Sequence, residues 1–91
     1  MKKQFGMVEA SVMRDPKIST GAKALYALLC TYTSPKKPYA YPRLTEISEY
    51  LGDIDKRTVR RYMSELKEHN YLERNKTGDG WIFLLLPKVT P

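Results

Sequence analysis

Apolar positions along this chain follow two different periods, and the change from one to the other predicts its elements. Ile18, Ala22, Leu25, Leu28, Leu29 and Tyr32 recur at spacings of three and four, which predicts a helix over residues 19–32. Ser19 is placed as its N-cap, and Ile18 just before it can act as a hydrophobic staple. Lys23 is the only charge between Ser19 and Thr33, so much of this helix is expected to be covered. A shorter second helix is predicted over residues 44–51, with Leu44, Ile47, Tyr50 and Leu51 as its apolar positions. Gly52 ends it as a left-handed residue, and Ile54 fills the turn. Asp55 caps a third helix that runs to about residue 69, where Asn70 is the left-handed terminator.

After Asn70 the pattern becomes that of strands. Residues 71–74 and 81–86 are strand candidates, and the turn-rich Asn75-Lys76-Thr77-Gly78-Asp79-Gly80 between them predicts a β-hairpin. At the other end, Phe5, Met7, Val8 and Val12 predict a short strand over about residues 5–12, followed by a turn at Asp15-Pro16-Lys17. Residues 34–42 hold three prolines, which excludes regular helix or a central strand. They read as an extended loop, with Tyr39 and Tyr41 over the core and Lys36 and Lys37 as candidate phosphate contacts. The expected fold is mainly α with a small antiparallel sheet, an α+β arrangement in the order β-α-α-α-β-β. Residues 1–87 form one domain, and residues 88–91 are a tail or the start of a linker. Trp81, Phe83 and Leu85 alternate with Ile82, Leu84 and Leu86, so both faces of the last strand are apolar. A small sheet normally keeps one face in water, so the N-terminal segment or a second copy must cover the other. A homodimer is therefore one open arrangement.

Charge adds a partner to this picture. Sixteen Lys and Arg against ten Asp and Glu give a net charge of +6, which suits a polyanion. Four of those cations fall within residues 56–61. At about 100° per residue, Val59, Met63 and Leu66 share one side of the third helix, with Tyr62 at its edge. Arg57, Arg60, Arg61 and Ser64 gather on the other. An arginine fork can bond both acceptors of a guanine edge or clasp a phosphate, so this face is built to read DNA.

Other chemistry finds little support. One cysteine, Cys30, excludes an internal disulfide and a cysteine-based zinc site, and it reads as an inert packing residue. With one histidine, His69, no catalytic set, cofactor site or metal site can be assembled, and no small-molecule substrate is indicated. The longest apolar run, Trp81 to Leu86, is too short to span a membrane, and there is no signal-peptide core. A non-enzymatic cytoplasmic protein is expected.

The motifs carry a resemblance. Ile47-Ser48-Glu49-Tyr50-Leu51-Gly52, three residues, then Lys56-Arg57-Thr58-Val59-Arg60-Arg61 resembles the bacterial helix-turn-helix pattern I-A-x-x-L-G-x-S-x-R-T-V-R-R. Glu65 through Leu72 is similar to the exit from a recognition helix into a wing. Ile18-Ser19-Thr20-Gly21-Ala22-Lys23-Ala24-Leu25-Tyr26, followed by Tyr41-Pro42, looks like the helix-turn-helix module of plasmid and phage replication initiators and replisome organisers. The winged helix-turn-helix likeness spans residues 18–86, and the replication likeness rests on fewer positions. Arg43 stands where the pattern often has Ser, Asn70 where it has Gly, and Asp53 and Asp55 add negative charge beside the reading face.

The resemblance implies insertion of the third helix into the major groove of double-stranded DNA. Lys56, Arg57, Thr58 and Arg60 match positions that contact DNA in related domains. Arg57 and Arg60 are assigned to base edges, and Lys56, Arg61 and Ser64 to phosphates. Arg74 and Lys76 in the hairpin are assigned to an adjacent phosphate or the minor groove. Replication initiation is the expected setting. Alternatives are a small transcriptional regulator and a winged helix used for protein assembly.

Overall fold

The computed structural model describes residues 8–33, 39–40, 42–77 and 80–85, with residues 40, 74–77 and 80–85 described by backbone alone. Seven elements follow in order: α1 (Ala10–Met13), α2 (Thr20–Cys30), β1 (Tyr39–Ala40), α3 (Leu44–Tyr50), α4 (Lys56–Glu68), β2 (Leu72–Thr77) and β3 (Gly80–Leu85).

The predicted N-terminal strand is corrected. Residues 5–7 lie outside the described part, and from Ala10 the chain makes a single helical turn instead. Met13 N–H donates to Glu9 O at 3.2 Å and Arg14 N–H to Ala10 O at 2.9 Å. A four-residue helix has no stability of its own. It persists because the turn seats Val12 in the core with no exposed surface. Scattered apolar residues gave this segment its strand character, but one deeply buried residue, Val12, sets its conformation.

The third strand comes from the proline-rich stretch. β1 pairs antiparallel with β3, Tyr39 opposite Leu84 and Ala40 opposite Phe83. β2 pairs with β3 on its other side, Leu72 opposite Leu85 and Glu73 opposite Leu84, giving the order β1-β3-β2. A strand flanked by Pro38 and Pro42 can only be short and marginal, since neither ring offers an N–H, and β1 is a two-residue edge strand. The observed order is thus α-α-β-α-α-β-β. β2 extends to Thr77, beyond the predicted residue 74. Lys36, Lys37, Tyr41, the turn residues Gly78 and Asp79, Leu86 and the tail from Pro87 lie outside the described residues.

One core unites these elements: Val12, Ile18, four apolar positions of α2 with Cys30, Ile47 of α3, Val59, Met63 and Leu66 of α4, and Tyr71 and Leu72 at the entry to β2. Of the α2 residues only Thr20 and Ala24 are exposed, in keeping with its near lack of charge. Cys30 lies within the core, and burial pushes its thiol up to about 11. Such a group is a poor nucleophile near neutral pH.

Candidate nucleic-acid interface

Three short-range devices fix where α4 begins, turns and ends. Gly52 takes φ 92° and Asp53 φ 58°, two left-handed residues in succession that reverse the chain after α3. The Ser48 hydroxyl donates to the Ile54 carbonyl, and the half-buried Ile54 side chain packs on the core, so the turn is held at both ends. Asp55 then caps α4, its carboxylate accepting from Arg57 N–H at 2.8 Å. At the far end Asn70 has φ 62°. Tyr71 N–H reaches back to Leu66 O at 2.9 Å and Asn70 N–H to Lys67 O at 3.0 Å. Those two bonds, with buried Tyr71 against buried Leu66, make a Schellman ending.

The inner side of α4 is anchored firmly. Val59 and Leu66 are fully buried and Met63 is 3% exposed. Lys56, Arg57, Arg60, Arg61 and Ser64 are all exposed on its other side. None of the four cations joins an ion pair among the described residues. Thr58 is half-buried on the flank, which leaves it less surface to offer than the sequence pattern suggests. From Lys56 to Ser64 the helix advances about 12 Å, comparable to the width of a B-DNA major groove.

Helical geometry sorts the outer face into two rows. Lys56, Arg60 and Lys67 follow one, and Arg57, Arg61, Ser64 and Glu68 follow the other. Lys67 and Glu68 are exposed parts of this face that the sequence reading did not include, though the same i, i+4, i+7 spacing reaches both. Glu68 makes the face polar along its length: cationic in its first two turns, with a carboxylate at its end. Asp53 is exposed beside the start of the helix. Arg74 and Lys76 fall on β2, opposite Phe83 and Trp81. Their side chains are outside the described part.

Glu65 and Asp15 take no part in that face. The Ser19 hydroxyl and amide hold the Glu65 carboxyl below its usual range, helped by the nearby positive charges of His69 and Arg61. Tyr71 O–H donates to Asp15 Oδ2 at 2.6 Å and Lys17 N–H to Asp15 Oδ1 at 2.9 Å, which lowers the Asp15 carboxyl as well. His69 stacks on Tyr71, with ring centroids 6.4 Å apart. These groups fasten the N-terminal segment to the end of α4. Among the described residues no group of three or more His, Cys, Asp or Glu is arranged to hold a metal ion. No described helix is long and apolar enough to cross a membrane.

A helix pair joined by a left-handed turn, its second member buried on one side and cationic on the other, defines a helix-turn-helix protein. Residues 17–72, more than half of the chain, match the helix-turn-helix domain family, and the chain belongs to it. Comparison with curated proteins finds no match.

Proposed function

We propose that this chain binds double-stranded DNA selectively by inserting α4 into the major groove, as a winged helix-turn-helix whose wing is the β2–β3 hairpin. The observation that carries this reading is the set of exposed cations on α4, standing on a helix whose back is buried, within a helix-turn-helix family member. Arg57 and Arg60 read base edges, with Thr58 beside them on the flank. Lys56, Arg61 and Ser64 hold phosphates, and Arg74 and Lys76 extend the contact through the wing. The protein is a cytoplasmic binding module and not an enzyme. One such module should bury on the order of 600–1,000 Å². Useful selectivity then calls for two copies on paired half-sites, as a homodimer or in tandem.

Replication initiation is the setting we favour, on the similarity of residues 18–26 and 41–42 to initiator modules. Selection of bound sites from random duplexes tests both levels. Directly repeated sites support an initiator, and inverted repeats support a dimeric transcriptional regulator. An unenriched pool with only weak binding would leave protein assembly as the better reading. On an enriched site, Arg57→Ala and Arg60→Ala should change which sequences compete, while Lys76→Ala should weaken all of them alike. Four cationic phosphate contacts, from Lys56, Arg61, Arg74 and Lys76, give a log–log salt slope of about −3.6.

A further inference from the structure

Arg61 differs from the other cations of α4 in what lies beside it. Its guanidinium carbon stands over the Tyr62 ring, 5.8 Å from the centroid. Among the described residues Lys56, Arg57 and Arg60 have no aromatic neighbour of this kind. Tyr62 is itself braced. Its ring lies against Gly21 in the first turn of α2, so closely that a Cβ at Gly21 would fall 2.0 Å from the ring's Cζ, far inside van der Waals contact. One turn further along α4, Glu65 is bound to Ser19, and the Arg61 charge helps to lower that carboxyl. Two attractive groups, a ring and a carboxylate, thus draw Arg61 toward the α2 edge of the outer face.

A guanidinium resting on a ring gives up rotamer freedom before any ligand arrives, so less is lost when its fork closes on an anion. Its place at the flank suits the phosphate ridge bordering a groove better than the base edges at its floor. We infer that Tyr62, seated on Gly21, is a positioning residue that holds the Arg61 fork for a backbone phosphate. This rests on the DNA reading above and assigns a role within it.

The test uses the full chain and a fluorescent duplex of fixed sequence, titrated at several salt concentrations, with thermal unfolding of every variant alongside. Arg61→Ala should flatten the log–log salt slope by about 0.9, one phosphate contact. Tyr62→Leu should weaken binding by about two- to tenfold, the cost of ordering one rotamer-rich side chain only when the ligand arrives, and should flatten the slope. Tyr62→Phe, which keeps the ring, should bind as the unsubstituted chain does. In the Arg61→Ala background, Tyr62→Leu should change nothing further. If Tyr62→Leu unfolds the chain, Tyr62→Met serves as the non-aromatic variant. Equal losses from Tyr62→Leu in both backgrounds, with an unchanged slope, would mean that the ring acts only in packing and would overturn the inference. So would an unchanged slope for Arg61→Ala. Failure of the unsubstituted chain to bind any duplex strikes the DNA reading itself, an outcome distinct from these.

Discussion

Ser19 and Glu65, 46 residues apart, share two hydrogen bonds: the Ser19 amide donates to Oε1 at 2.5 Å and its hydroxyl to Oε2 at 2.7 Å. The same hydroxyl accepts from Ala22 N–H at 3.2 Å, so the cap of α2 is tied to the last turn of α4. In a capping box the carboxylate comes from the helix being capped. Here the neighbouring helix supplies it, so one interaction both caps the start of α2 and sets its distance from α4. Glu65→Ala should cost about 1–2 kcal/mol, the range for losing a cap or a charged hydrogen bond. Urea unfolding of that variant and of Ser19→Ala should show losses well short of additive when the two are combined.

Acid should loosen the same junction. Glu65 and Asp15 both titrate below their ordinary values of 4.5 and 3.8, Glu65 through Ser19 and Asp15 through Tyr71 and Lys17. A depressed folded-state value contributes stability that is complete above the unfolded value and is lost as pH falls through the folded one. Melting temperature should therefore hold between neutral pH and about 5 and decline below it. In the Glu65→Gln, Asp15→Asn double variant that decline should be shallower. An identical acid profile for the double variant would place the sensitive carboxylates elsewhere.

Gly21 offers a test in which two effects compete. Alanine is favoured over glycine by about 1 kcal/mol at most in a helix, and Gly21 lies only in the first turn of α2. Against that, the new Cβ would fall 2.0 Å from Tyr62 Cζ, so the ring must leave its seat, and overpacking of this kind costs about 1–3 kcal/mol. Gly21→Ala should therefore lower the melting temperature, although the exchange raises helix propensity. Adding Tyr62→Ala should make Gly21→Ala stabilising relative to Tyr62→Ala alone.

The carboxylate of Glu68 shares a row with Arg57 and Arg61 and opposes any polyanion lying along it. Glu68→Gln should raise duplex affinity by roughly two- to fivefold, the size of a surface charge interaction, with no change in unfolding midpoint. The gain should shrink as salt rises. A gain that persists at high salt would point to a new contact and not to relief of repulsion.

Elements with strong local signals were legible in the sequence. Ser19, Gly52, Asp55 and Asn70 marked helix ends that the structure confirms, because each acts through its own backbone conformation or a bond only a few residues away. The buried side of α4 was equally readable from Val59, Met63 and Leu66. What escaped was decided at long range. Val12 becomes helical because the core needs it in that place, and Tyr39–Ala40 becomes a strand because β3 passes beside it. Neither partner is visible from local spacing. On the outer face, the cations could be grouped by helical geometry, but the Gly21 notch under Tyr62 and the seizure of Glu65 by Ser19 depend on how two helices meet. Glu65 and Glu68 look alike in the sequence. Only packing separates the one that builds the fold from the one that faces outward.

Lys56, Arg57 and Arg60 are exposed and join no ion pair among the described residues, whereas Arg61 leans on Tyr62 and Glu65. The identities of those three are thus nearly decoupled from folding, and random replacement at 56, 57 and 60 should yield mostly intact molecules. A chain of this design is a durable platform with an interchangeable legend, able to drift toward new addresses without first acquiring spare stability.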